Sequence, residues 1–148
     1  MNLTSPEFEN NANLKVKFTC EGLGVNPELN ISGIPEKAKS LVLIVDDPDA
    51  VYGIFIHWVV FDIPLTNQIG ENSVPGKQGS NDGGGFNYVS PCPPSGKHRY
   101  FFKAYALDSF LNLEEGISKQ DLLSAMEPHI LDYAELIGLY KKSFNIPQ

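Results

Sequence analysis

The chain has 148 residues, of which 42% are hydrophobic and 20% are charged, and its formal net charge is -7 at pH 7. These values predict one soluble globular domain over residues 1–148 and argue against a disordered chain. They also argue against a nucleic-acid-binding protein, which needs a basic surface, and no apolar run approaches the roughly 20 residues that cross a bilayer.

The N-terminus and the cysteines indicate a compartment. Residues 1–13 are polar and lack the apolar core of a secretory signal, so we expect the protein in the cytoplasm. The two cysteines, Cys20 and Cys92, form no CxxC motif. Two reduced thiols are the simplest expectation there, although the spacing alone leaves a single bridge open.

Four stretches have the pattern of β-strands. The first alternates apolar and polar residues, with Leu14, Val16 and Phe18 on one face. The other three are apolar runs rich in β-branched or aromatic residues. A long loop, residues 64–96, contains most of the turn-forming residues. The predicted strands are residues 14–20, 41–45, 54–63 and 99–107.

Two helices are predicted after residue 108. Ser118 has the character of an N-cap before an acidic first turn. Pro128 predicts the start of a second helix, with Ile130, Ala134 and Ile137 on one face. Because strands precede helices, the order predicts a mainly β fold of antiparallel sheets with C-terminal helices rather than a βαβ repeat.

Acidic and imidazole side chains lie in or beside these strands. Asp47 and Asp49 directly follow the strand over residues 41–45, where a turn alone explains both of them. His57 lies inside an apolar strand, a position more typical of a structural histidine than of a ligand. These residues are therefore candidates for a site, but neither pattern is specific by itself.

The start of the last predicted strand carries a second group of polar side chains. His98 and Tyr100 are two positions apart, so they point to the same face of a strand, and Arg99 points to the other. Arg99 is therefore expected to form a structural ion pair, or hydrogen bonds to loop carbonyls, rather than to share a site with them.

The glycine-rich residues 79–85 do not form a phosphate-binding loop of the Walker type. They lack the Gly-Lys-Ser/Thr ending and do not open a helix, so a turned surface loop is expected. The sequence also lacks a Gly-x-Ser-x-Gly elbow, and neither cysteine has a histidine beside it. Because catalytic triads can assemble across a fold, these absences are only weak evidence against a hydrolase. We assign no catalytic residue, no metal and no cofactor, and the sequence favours a protein that is not an enzyme.

Three separated motifs resemble the phosphatidylethanolamine-binding protein family, which includes the Raf kinase inhibitor proteins. The Pro-Cys-Pro-Pro form and the short chain resemble the bacterial and archaeal branch. Weaker similarity lies at residues 18–22 and 26–29, and residues 135–141 resemble the terminal helix of the family. The three motifs are Asp46-Asp47-Pro48-Asp49-Ala50, Phe55-Ile56-His57-Trp58-Val59-Val60 and Pro91-Cys92-Pro93-Pro94-Ser95-Gly96-Lys97-His98-Arg99-Tyr100.

The resemblance implies a β-sandwich of two packed antiparallel sheets with peripheral C-terminal helices and a small anion pocket at one end. Asp49 matches a family position beside that pocket whose role is structural. Cys92 and Pro93 match its rim, where a backbone amide near Cys92 is a candidate donor. The ligand-binding residues that the resemblance implies are Asp47, His57, Cys92, Pro93, His98 and Tyr100.

The sequence departs from the family pattern at three places. Val51 stands where proline is usual, Asn30 stands where an aromatic residue is usual, and Val89-Ser90 stands where glycine is common. These departures bear on loop shape and ligand preference rather than on the pocket residues themselves.

The implied pocket has the chemistry of an anion site. Two imidazoles and a phenol can donate several hydrogen bonds to a phosphate or a carboxylate. A carboxylate favours the charged form of an imidazole that it touches, whereas it repels an anion. A zwitterionic head group such as phosphorylethanolamine satisfies both signs, so a small anionic ligand is the expected partner.

Two other functions stay open. Eukaryotic relatives imply a regulator of a protein partner, such as a kinase or a protease, and a histidine pair with a carboxylate also suits an enzyme. The resemblance further leaves open peripheral contact with lipid and a reactive thiol at Cys92. A homodimer could form through Phe86 and Tyr88.

Overall fold

Two β-sheets form the framework of the protein in the computed structural model, which describes residues 1–143. One sheet has three strands in the order β1-β3-β6, and the other has six in the order β2-β9-β8-β4-β5-β7. The strands are β1 (Asn2–Thr4), β2 (Ala12–Asn13), β3 (Leu29–Ser32), β4 (Ser40–Asp47), β5 (Phe55–Pro64), β6 (Gln68–Ile69), β7 (Lys77–Gln78), β8 (Lys97–Leu107) and β9 (Ile130–Lys141).

The fold prediction of two antiparallel sheets is confirmed, with one small exception. All strand pairs are antiparallel except β2 with β9, which run parallel over two residue pairs. The predicted strands at residues 41–45, 54–63 and 99–107 correspond to β4, β5 and β8. The long loop after β5 also contributes the short strands β6 and β7.

Strand β4 is buried along its whole length because both faces of the large sheet are covered. Leu43 and Val45 join the core between the two sheets, whereas Val42 and Ile44 join a second core on the outer face. Burial of both faces explains why this strand is a continuous apolar run rather than an alternating one.

The outer core is closed by the single α-helix of the described residues, α1 (Lys119–Met126). Leu122 and Met126 point into that core and are fully buried. The predicted N-cap is confirmed, since the Ser118 hydroxyl accepts a hydrogen bond of 3.1 Å from the Asp121 amide. Such caps stabilise a helix by about 1 kcal/mol.

The prediction of a second C-terminal helix is wrong, and residues 135–141, which resemble the terminal helix of the family, lie in a strand. The segment after Pro128 passes through a short 3-10 turn (Glu127–His129) and then forms β9, which pairs with the entire length of β8. Ile130, Ala134 and Ile137 have helical spacing, but the buried residues alternate as Ala134, Leu136, Gly138 and Tyr140. Pairing with β8 therefore outweighs the local helical pattern.

Gly138 in β9 occupies a position where a side chain would not fit. A Cβ atom there would lie 2.4 Å from Cδ2 of Leu14 and 3.1 Å from Cε2 of Phe8. The N-terminal segment can therefore lie directly on β9, where Ala12 pairs with Gly138.

The prediction of a strand at residues 14–20 is also wrong. Leu14 and Phe18 are buried, but Val16 is 48% exposed and begins a 3-10 turn, Val16–Phe18. The amides of Phe18 and Thr19 bond to the carbonyls of Lys15 and Val16, so the segment satisfies its own backbone groups. The alternation of apolar residues did not correspond to a strand.

The two cysteines form a disulfide bond, so the expectation of two free thiols, and of a reactive thiol at Cys92, is wrong. The Cα atoms of Cys20 and Cys92 are 5.4 Å apart, which is an ordinary spacing for a bridge. A hydrogen bond of 3.0 Å from the Cys20 amide to the Pro91 carbonyl draws the two segments together. The sequence separation of 72 residues gave no sign of this contact.

One end of the large sheet brings three distant stretches of chain together. Strand β4 is antiparallel to β5 and β8, so its last residues lie beside the first residues of both. Asp47 pairs with Phe55, and Asp46 pairs with Phe101. The side chains carried by these strand ends therefore meet at the same edge of the sandwich.

Within residues 1–143, no helix has the length and apolar character that a membrane crossing requires.

Candidate functional site

A buried hydrogen bond between a histidine and an aspartate lies at the end of β4. Nδ1 of His98 is 2.7 Å from Oδ2 of Asp47, and these residues are only 7% and 3% exposed. The other carboxylate oxygen, Oδ1, accepts a hydrogen bond of 2.8 Å from the Asp49 amide. Asp47 is therefore held from both sides, and the Nε2 edge of the His98 ring is left for other partners.

His57 is fixed by the backbone of Val89. Nδ1 of His57 donates to the Val89 carbonyl at 2.6 Å, and the Val89 amide donates to the His57 carbonyl at 3.0 Å. Because a carbonyl only accepts, Nδ1 carries a proton and Nε2 is the acceptor of the neutral ring. Burial lowers the pKa of His57 from its usual 6.5, while the Val89 carbonyl and Asp47 oppose that effect.

Tyr100 lies between the two histidines. Its ring centroid is 5.3 Å from that of His57 in an edge-on arrangement and 6.5 Å from that of His98 in a stacked one. Burial raises the pKa of Tyr100 above its usual value, with a further increase from Asp47. The phenol therefore keeps its proton at neutral pH and can act as a hydrogen-bond donor.

All six residues predicted from the sequence line one cavity of about 590 Å³. Their meeting at one place is a result of the tertiary structure, although their roles toward a ligand stay predictions. The predicted residues in the cavity wall are Asp47, His57, Cys92, Pro93, His98 and Tyr100.

Sequence reasoning missed two parts of the wall. One is the loop over residues 50–54, where Val51, Tyr52 and Ile54 are 69%, 102% and 56% exposed. The other is Asp82, whose Oδ2 accepts a hydrogen bond of 2.7 Å from the Ile56 amide and thereby ties its loop to β5. The only available signal was the acidic residue within the glycine-rich stretch.

The glycine-rich loop is tightly turned, as expected, around Asn81. Oδ1 of Asn81 accepts from the amides of Gly83 at 2.9 Å and Gly85 at 3.0 Å. Its Nδ2 donates to the Asn87 carbonyl at 2.7 Å. This side chain is 8% exposed, so a buried amide organises the loop and places it beside the cavity.

Arg99 forms the structural ion pair that was predicted for it. Its Nε and Nη2 atoms each lie 2.9 Å from the Asp49 carboxylate, and its backbone amide donates to the same group. The guanidinium lowers the pKa of Asp49 from 3.8 to about 2. Asp49 and Arg99 thus hold the β4 turn against β8, outside the cavity wall.

Tyr88, one of the two residues considered for a homodimer contact, is half-buried. Its hydroxyl donates to the Phe18 carbonyl at 3.2 Å, and its ring packs edge-on against Trp58 at a centroid distance of 5.4 Å. Phe86 is 52% exposed, so it is the more accessible of the two residues, and the homodimer stays a prediction.

The departures from the family pattern differ in their consequences. Val89 contributes backbone atoms to the His57 contact, so glycine is not required at that position for this bond. Val51 belongs to the exposed cavity loop, whereas Asn30 lies in β3 of the smaller sheet, away from the wall. Among residues 1–143, no group of three or more histidine, cysteine or acidic residues is arranged to hold a metal ion.

Comparisons with known proteins identify relatives of the chain by sequence and by fold. The family model described as "Phosphatidylethanolamine-binding protein" matches residues 4–141. A UPF0098 protein of Methanothermobacter thermautotrophicus is 47% identical over 150 residues, which cover 96% of this chain and 99% of that protein. The UPF0098 protein PH1269 of Pyrococcus horikoshii is 46% identical, covering 93% of this chain and 75% of that protein.

Two crystal structures have the same fold. A phosphatidylethanolamine-binding protein homolog from Chlamydia trachomatis, CT736, superposes with a TM-score of 0.93 at 44% identity, covering 96% of this chain and 97% of that one. YbcL of Escherichia coli, described as a new member of the mammalian PEBP family, superposes with a TM-score of 0.87 at 27% identity, covering 96% and 98%.

Proposed function

The chain belongs to the phosphatidylethanolamine-binding protein family, and on this basis we propose that its cavity binds a small anionic ligand such as the phosphate of a phospholipid head group. The observation that carries the proposal is the buried Asp47–His98 pair in the cavity wall. Buried charges are rare without a compensating role, since removing them from water is costly.

The available hydrogen-bond donors support an anion as the ligand. With Nδ1 of His98 engaged by Asp47, a proton on Nε2 would face the ligand, and Asp47 would balance the positive charge of the ring. The Tyr100 hydroxyl is a second donor that stays protonated at neutral pH. Phosphate and carboxylate groups accept such bonds equally well, so both remain candidates.

The carboxylates of the wall favour a ligand that also carries a positive charge. Asp47 and Asp82 line the cavity, and no lysine or arginine is found in its wall among the described residues. A bare dianion would meet repulsion there, whereas the ammonium group of phosphorylethanolamine would be attracted. The volume of about 590 Å³ lies within the usual range for small-ligand sites.

Titration of the histidine ring signals by NMR tests the proposal. Addition of phosphorylethanolamine at millimolar concentration should shift the signals of His57 and His98, and Tyr100→Phe should weaken binding about five- to tenfold by removing one hydrogen bond. Tyr105→Phe is the matched control, because Tyr105 lies on the other face of β8 beside Tyr133. Unshifted histidine signals would rule out binding at this cavity.

A second candidate function is regulation of a protein partner. The observation that favours it is the exposed apolar loop beside the cavity, with Val51, Tyr52 and Ile54. Exposed apolar patches of this kind often mark contact surfaces. Retrieval of the same partner from cell extract by the wild-type protein and by Tyr52→Ser would argue against a role for this loop.

A further inference from the structure

The disulfide bond joins two segments that have different relations to the cavity. Cys92 lines the cavity wall together with Pro93 and Pro94, whereas Cys20 is not part of the wall. Both cysteine residues are exposed to solvent. The bridge therefore joins two surface positions rather than two core positions.

The Cys20 side of the bridge is firmly anchored. Cys20 directly follows Phe18 and Thr19, which are both fully buried. The Thr19 hydroxyl donates to the Val16 carbonyl at 2.9 Å, and the Tyr88 hydroxyl donates to the Phe18 carbonyl. The segment that carries Cys20 is therefore held in place by buried residues and by hydrogen bonds.

The Cys92 side of the bridge has few other attachments. Pro93 and Pro94 have no backbone N–H to donate, and Gly96 has a φ of 71°, a left-handed conformation that turns the chain toward β8. In the described part of the chain, the hydrogen bonds that fix the preceding residues are made by Val89 and by the Pro91 carbonyl. Among the described residues, no hydrogen bond fixes residues 92–96, so the bridge and the packing of the buried Pro93 hold this segment in the wall.

We propose that the Cys20–Cys92 disulfide is a redox-responsive site that controls the cavity, because its reduction by a dithiol releases residues 92–96 from the wall and weakens ligand binding. This inference rests on the proposed function of the cavity as a ligand site. The oxidised protein is the form that binds the ligand, and the reduced protein is the weaker form.

The dithiol supplies the electrons and hydrogens that reduction of the bridge requires. A thiolate of the dithiol attacks one sulfur of the bridge, which forms a mixed disulfide and releases the other cysteine as a thiol. The second thiol of the reagent then displaces the first cysteine and closes its own disulfide. Two electrons and two hydrogens pass to the protein, and the reagent leaves in its oxidised form.

Binding measurements on three samples of the full chain test the inference. The dissociation constant for phosphorylethanolamine is measured by calorimetry on the oxidised protein, after reduction with dithiothreitol, and after reoxidation. We expect roughly tenfold weaker binding after reduction, which corresponds to about 1.4 kcal/mol. This is the loss expected if the wall of the reduced protein has its ligand-binding conformation about one tenth of the time. Reoxidation should restore the original affinity, which shows that the loss is reversible, and circular dichroism of the reduced sample checks that it is folded.

A variant without the bridge separates the effect of the bridge from the effect of the residues that line the cavity. Cys20→Ser removes the bridge without changing a residue of the cavity, so it should reproduce the affinity of the reduced protein in the absence of dithiothreitol. Circular dichroism checks that its sheet content is unchanged. Equal dissociation constants in the oxidised and reduced forms would overturn the inference while leaving ligand binding intact.

Hydrogen exchange distinguishes failure of this inference from failure of the proposed function. Absence of binding in the oxidised protein would remove the proposed ligand function. In that case, faster exchange after reduction of the Cys20 amide, which donates to the Pro91 carbonyl at 3.0 Å and so joins the two segments, would still support release of the wall. Unchanged exchange, or resistance of the folded protein to dithiothreitol, would overturn it.

Discussion

His98 and Asp47 are 51 positions apart in the chain, yet Nδ1 of one lies 2.7 Å from Oδ2 of the other in a buried pair at the cavity wall. The antiparallel pairing of β4 with β8 brings the end of one strand to the start of the other. The pair is therefore a direct product of sheet register, and a shift by one residue would turn either side chain to the opposite face.

Replacement of Asp47 tests the role of this pair. Asp47→Asn keeps the shape of the side chain but removes the negative charge beside His98 Nδ1 and the attraction of the wall for an ammonium group, so affinity for phosphorylethanolamine should fall roughly tenfold. Isothermal titration calorimetry provides the measurement. The control is Asp49→Asn in the same turn, which breaks the exposed pair with Arg99 and lies outside the cavity wall. Equal losses in the two variants would contradict the assignment.

His57 should make the stability of the protein depend on pH. Because burial lowers the pKa of His57 below 6.5, the unfolded chain binds a proton more readily than the folded one. The stabilisation that depends on neutral His57 is fully present above pH 6.5. It is lost as the pH falls below 6.5 toward the pKa of His57 in the folded protein. Urea unfolding at pH 7.5 and 5.5 should show this loss in the wild type and a smaller one in His57→Gln.

The corresponding control is the exposed His129, which pairs with Asp108. His129→Gln should keep the part of the pH dependence that comes from His57. At neutral pH, nitrogen NMR should find the proton of His57 on Nδ1, since the Val89 carbonyl accepts from that atom. A proton on Nε2 alone would contradict the assigned geometry.

Asp49 and Arg99 should influence stability only at low pH. Arg99 lowers the pKa of Asp49 from 3.8 to about 2, so the stabilisation is present above pH 3.8 and is lost as the pH falls through about 2. Arg99→Gln should move the pKa of Asp49 back toward 3.8, which carbon NMR of the carboxyl group can follow. The effect on stability should be small, since the pair is solvent-exposed. An unchanged pKa in the variant would exclude Arg99 as the cause.

The disulfide should contribute substantially to global stability. Closing a loop of 72 residues is expected to stabilise the folded state by about 4 kcal/mol through the lost entropy of the unfolded chain. Guanidinium unfolding with and without dithiothreitol measures this difference. In the Cys20→Ser/Cys92→Ser double variant, dithiothreitol should have no effect, which separates loss of the bridge from other actions of the reagent. A reduced wild type as stable as the oxidised one would contradict the expectation.

Short-range patterns in the sequence predicted the central strands and the capped helix correctly. These features depend on residues that are close together in the sequence, so a short window is enough to detect them. They are the apolar runs of β4, β5 and β8 and the N-cap at Ser118. The pattern failed at β9, where helical spacing of Ile130, Ala134 and Ile137 coincided with a strand. Pairing with β8 decides the conformation there, and such pairing energy is invisible in a local window.

By itself, the sequence determined the chemistry that is available to this protein: a carboxylate, two imidazoles and a phenol beside strand-forming runs, with motifs that resemble one family. Only the tertiary structure decided how these groups are used. It placed Asp47 on His98, held His57 through Val89, brought Asp82 into the wall and joined Cys20 to Cys92. Each of these contacts joins residues far apart in the chain, so it depends on sheet register and loop closure rather than on local preference.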